Sequence, residues 1–65
     1  MQKITIMQKI ILDYLGNNPQ STVVQLMSVF DLSEIEVGSD LDELAKKGLA
    51  RSNYDIHKGY IWTAA

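Results

Sequence analysis

Along the first fifteen residues the apolar side chains Ile4, Met7, Ile10, Ile11, Tyr14 and Leu15 recur every three or four positions, while Lys3, Gln8, Lys9 and Asp13 fill the gaps. That period is the mark of one amphipathic helix. Gly16 directly after Leu15, and Pro19 three positions on, predict its end: a glycine free to take the left-handed conformation, then a residue that cannot continue a helix. Thr22 followed by Gln25 has the form of a capping box, and Val23, Leu26, Val29 and Phe30 then predict a second helix of about two turns. Ser33 and Glu36 repeat the signature, and Ile35, Val37, Leu41 and Leu44 predict the buried stripe of a third helix ending at Gly48. Lys46 and Lys47 in its last turn complement the negative end of the helix dipole.

Beyond Gly48 the period changes. Residues 49–54 and 60–63 are short stretches containing aromatic, β-branched and other strand-tolerant residues, and they flank Asp55-Ile56-His57-Lys58-Gly59, whose glycine suits a hairpin loop. A lone hairpin is not stable in water, so Tyr60 and Trp62, two apart on one strand face, are expected to lie against the helices. The predicted fold class is mainly α with a small β-hairpin: three helices followed by a two-stranded ribbon, in a single domain spanning residues 1–65. Met1-Gln2-Lys3-Ile4 recurs as Met7-Gln8-Lys9-Ile10, but one copy at a six-residue offset does not make a repeat architecture.

Composition narrows the function classes. Sixty-five residues leave no room for a second core, and a chain this short buries only about 60% of the surface it exposes when unfolded, so association with a second copy is a live option. The absence of cysteine excludes a disulfide framework and thiolate metal sites and fits a cytoplasmic location. No stretch approaches the roughly 18 apolar residues of a membrane span, because Lys9, Asp13 and Asn17-Asn18-Pro19 interrupt the first hydrophobic run. The small-residue cleavage site of a signal peptide is missing. A net charge of −2 and a pI near 5.0 are not those of an ordinary nucleic-acid binder.

Leu32, Ser33, Val37, Leu41, Leu44, Gly48 and Leu49 stand at the spacing of the conserved packing positions of bacterial winged helix-turn-helix transcriptional regulators, and Tyr60-Ile61-Trp62-Thr63 is similar to that family's terminal wing strand. The resemblance covers nearly the whole chain and rests on the packing signature of a fold. It implies a small bacterial or phage regulator that acts by binding duplex DNA, with the third helix in the major groove and the wing beside it. Ser39 would then lie near the groove, and Lys46, Lys47, Arg51 and Lys58 on the phosphate backbone.

The residues themselves object at the third helix. With the buried stripe removed, Glu34, Glu36, Gly38, Ser39, Asp40, Asp42 and Glu43 remain to meet a ligand. Residues 34–47 hold five acids against two lysines, whereas residues 1–33 sum to zero and residues 48–65 to +1. Carboxylates repel the DNA backbone, so insertion of this helix is electrostatically disfavoured. The alternative is a protein-interaction module in which Glu36, Asp40 and Glu43 meet a basic partner. A plainer reading has Glu34 and Glu36 serving the first turn and the capping box. Gly38 costs its helix roughly 1 kcal/mol against alanine and suggests close approach by another backbone. His57, with no second histidine and no cysteine, reads as a loop residue and not a metal ligand, so neither a metal nor a cofactor is expected. Asp40 and Glu43 have no accompanying nucleophile or phosphate-binding loop, and the chain is not expected to be an enzyme.

Overall fold

The computed structural model describes residues 3–65; Met1 and Gln2, half of the short N-terminal repeat, lie outside them. Helix α1 spans Ile6–Asn17, strand β1 Ser21–Thr22, helix α2 Val23–Phe30, helix α3 Glu34–Lys46, strand β2 Ala50–Asp55 and strand β3 Gly59–Ala64. The strands form one antiparallel sheet in the order β1-β3-β2. The fold is therefore mixed α and β, with a three-stranded sheet where two strands were expected. The additional strand is only two residues long, pairing Ser21 with Trp62 and Thr22 with Ile61, and so short a segment carries no alternating pattern to announce it.

Helix α1 starts at a capping box that the apolar spacing does not display. Thr5 Oγ1 accepts from the Gln8 amide at 3.0 Å, and Gln8 Oε1 accepts from the Thr5 amide at 3.1 Å, so two orphan donors of the first turn are satisfied reciprocally. The helix runs through Gly16, which takes no cap role. It ends instead on Asn17 and Asn18, whose side-chain amides donate to the Asp13 and Tyr14 carbonyls, both at 3.1 Å, and satisfy acceptors that a left-handed glycine would otherwise serve. Ile11 and Leu15 are fully buried, Met7 and Tyr14 are half-buried, and Ile10 sits on the exposed flank.

Helix α2 has Thr22 as N-cap, accepting from the Gln25 amide at 3.1 Å, but Gln25 does not close the box: its side-chain amide donates to the Tyr14 hydroxyl at 2.8 Å, tying α2 to α1. Leu26 is the fully buried residue of this helix, and Phe30 meets Tyr14 edge to face with ring centroids 5.4 Å apart. Asp31 then takes the left-handed conformation at φ 53 and turns the chain into α3.

Helix α3 carries both of its expected caps. The Ser33–Glu36 box opens it. At its end Gly48 takes φ 75 while its amide donates to the Ala45 carbonyl at 3.0 Å and the Leu49 amide to Leu44 at 2.9 Å, the two bonds of a Schellman closure. Val37, Leu41 and Leu44 have no exposure, whereas Ile35, expected inside, is 82% exposed. Two residues are about 200° of helix, so Ile35 and Val37 point to opposite sides. Gly38 is also exposed, with open space where a Cβ would stand, so no neighbouring backbone requires it.

The core joins Ile11, Leu15, Leu26, Val37, Leu41, Leu44 and Ala50, with Trp62 and Ala64 of β3 packed against it. Strand alternation turns Ile61, also buried, to the reverse face. Tyr60 shares the face of Trp62 but lies beyond the helices, exposed, with its ring edge to face against Tyr54 at 5.3 Å. Only Trp62 of the expected aromatic pair reaches the core.

Candidate functional site: the third helix and the hairpin

The acids of α3 are anchored from inside the fold. Gln8 is 2% exposed, and its side-chain amide donates to Glu43 Oε2 at 2.5 Å and to Asp40 Oδ1 at 3.3 Å. With Oε1 occupied by the Thr5 amide, every polar group of this side chain has a partner, as a buried amide requires. Glu36 Oε1 accepts from the Ser33 hydroxyl at 2.9 Å and the Ser33 amide at 3.3 Å. Asp42 pairs with Lys46 one turn on, at 3.1 Å and largely in solvent, a contact of modest value. Glu36, Asp40 and Glu43 thus have internal duties while lying at the surface or near it. Gln8 is the residue that the amphipathic pattern missed; Thr5 standing three positions before it was the available signal.

Between α1 and α3 lies an open cleft of about 470 Å³, lined by Met7, Leu32, Ile35, Glu36, Ser39 and Asp40. Its walls alternate in kind: three large apolar side chains form one part, and two carboxylates and a hydroxyl the other. Ser39 lies in this cleft and not on a cationic surface.

The five residues considered for nucleic acid lie on several elements, with Ser39 in the cleft, Lys46 and Lys47 at the end of α3, and Arg51 and Lys58 on the hairpin. Lys46 is engaged by Asp42, and Lys47 donates from Nζ to the Lys3 carbonyl, fastening the start of the chain to the end of α3. Arg51 faces Thr63 near the base of the hairpin, while Lys58 sits in its tip loop, about 13 Å of strand away at 3.3 Å per residue. The tip loop is Ile56-His57-Lys58. Asp55 Oδ1 accepts from the His57 and Lys58 amides at 2.8 and 3.0 Å, and Gly59 closes the turn at φ 82. Those two amide bonds, with the nearby Lys58 charge adding to them, hold the exposed Asp55 carboxyl below its ordinary value.

Among the described residues no group of three or more His, Cys, Asp or Glu side chains is placed to share a metal ion, and no helix is long and apolar enough to cross a membrane. The chain has no match among protein-family models, curated proteins or solved structures.

Proposed function

We propose that this chain is a small winged-helix regulatory module that works by protein contact, through the cleft between α1 and α3. Three helices followed by a hairpin support the winged-helix reading. The observation that carries the mode of contact is the outer face of α3: Ile35 stands 82% exposed in a cleft bordered by Glu36 and Asp40, and the one lysine within the helix is paired with Asp42. An exposed large apolar residue beside carboxylates suits a protein segment that places an apolar side chain next to a lysine or arginine, and it suits phosphate poorly.

The probe is a short synthetic peptide carrying Lys-Ile-Lys, titrated into the labelled protein while amide resonances are followed. The expected result is saturable shifts at Ile35, Glu36, Ser39 and Asp40 that disappear in Ile35→Ser. Shifts confined to other residues, or unchanged by Ile35→Ser, count against the cleft.

A second reading, DNA binding as a transcriptional regulator, is favoured by one observation: Arg51 and Lys58 lie exposed on the hairpin, where a wing would meet the phosphate backbone. In that reading Ser39, Lys46 and Lys47 follow from α3, and the module needs either a partner or a second copy to offset the acids of that helix.

A further inference from the structure

We infer that the occupant of the cleft is the hairpin tip of a second copy of this chain, an inference that rests on the cleft being a protein-docking site and names its partner. Two large apolar residues stand outside the core at the two ends of this contact, Ile35 in the cleft at 82% exposure and Ile56 in the tip at 81%. Each stays exposed, so neither covers the other within one chain. Beside Ile35 are the carboxylates Glu36 and Asp40; beside Ile56 are His57 and Lys58.

The two surfaces match in both kinds of chemistry. Ile56 meets Met7, Leu32 and Ile35, while the Lys58 ammonium meets the carboxylate border. The internal bonds of Glu36 and Asp40 use Oε1 and Oδ1, which leaves Oε2 and Oδ2 for a cation. The Asp55 carboxylate accepts from both loop amides through Oδ1, and those bonds hold the tip in one shape, so little loop entropy remains to be lost on docking. Cleft and tip are different patches, so the contact is heterologous and copies add head to tail. A single loop tip in one open cleft belongs to the weak, transient class.

Sedimentation of the full chain up to about 1 mM, enough to half-populate a millimolar contact, tests this. Four samples are compared: wild type, Ile35→Ser, the tip variant Ile56→Ser with Lys58→Glu, and an equimolar mixture of the two variants. Wild type is expected to rise to about one and a half times its 7.3 kDa monomer mass or more, while each variant alone stays at the monomer. The mixture, which pairs an intact tip with an intact cleft, is expected to rise again above the monomer mass. Glu36→Gln, which keeps the capping box but not the charge, is expected to weaken association severalfold, and amide spectra matching wild type show that every variant is folded. A wild type that stays monomeric, a variant that associates as wild type does, or a mixture that does not recover overturns the inference. If wild type is monomeric yet the Lys-Ile-Lys peptide still shifts Ile35 and Ser39, the second copy fails as occupant and the docking site stands; if the peptide fails as well, both fall.

Discussion

The side-chain amide of Gln8 and the carboxylate of Glu43, 35 residues apart in the chain, meet at 2.5 Å across the α1–α3 contact. The same amide reaches Asp40 at 3.3 Å, and the Gln8 carbonyl oxygen closes the cap of α1 on Thr5. The position needs two donors towards α3 and one acceptor towards Thr5. A glutamine supplies both, where lysine has no acceptor and glutamate has no donor when ionised.

Removing that amide leaves Asp40 and Glu43 facing a void and Thr5 without its partner. Gln8→Ala is expected to cost about 2–3 kcal/mol, read from the urea midpoint at unchanged slope. Gln8→Glu is expected to be worse at neutral pH, because it sets a third carboxylate against two others and raises the pKa of the new group in the fold. The excess cost is present above that raised value and lost as the pH falls through it. Denaturation at about pH 7 and about pH 5 checks the sign, since a penalty that grows on acidification excludes charge repulsion as its cause.

Gly38 sits mid-helix in open space with a helical neighbour on either side. Gly38→Ala is expected to stabilise the protein by about 1 kcal/mol, raising Tm by roughly 4–8 °C. A thermal scan showing destabilisation means that this face meets a neighbour.

Leu41→Ala and Leu44→Ala each empty a fully buried site and are expected to cost about 2–5 kcal/mol, a large share of a small domain's total. Ile35→Ala, one helix face away, is expected to change stability by no more than about 0.5 kcal/mol. The contrast between these variants in one chemical-denaturation series tests which stripe is inside.

Asp55 has its pKa lowered from 3.8 by the amides of His57 and Lys58. A group depressed in the fold contributes stability above its unfolded value and loses it as the pH falls through the folded one. The stability difference between wild type and Asp55→Ala is therefore expected to be constant above about pH 5 and to shrink below the ordinary aspartate range. A difference that widens in acid contradicts the hairpin-tip geometry.

The legible parts of this molecule were those written locally. Ser33–Glu36 and Gly48 declare both ends of α3 within a few residues of it, Thr22 declares the start of α2, and Gly59 the hairpin turn. Two features escaped because their causes lie elsewhere in the chain or in too short a segment, and a third, Ile35, because a stripe holding both it and Val37 does not fit one helix face. Gln8 is polar and was placed outward, yet partners 32 and 35 residues away bury it. Ile35 is apolar and was placed inward, although its position on the helix turns it to solvent beside Met7 and Leu32. Ser21–Thr22 becomes a strand only because β3 is there to pair with it. As for the site, Glu36, Ser39 and Asp40 were foreseen as exposed candidates, but the apolar residues that make a cleft with them were not.

The account turns on whether the outer face of α3 meets protein or phosphate. Titration of mixed-sequence duplex DNA at about 50 mM salt, followed through the amide resonances of Ile35, Ser39 and Asp42, decides it most directly. The predicted result is that these resonances stay in place; shifts at all three that collapse as salt is added contradict it.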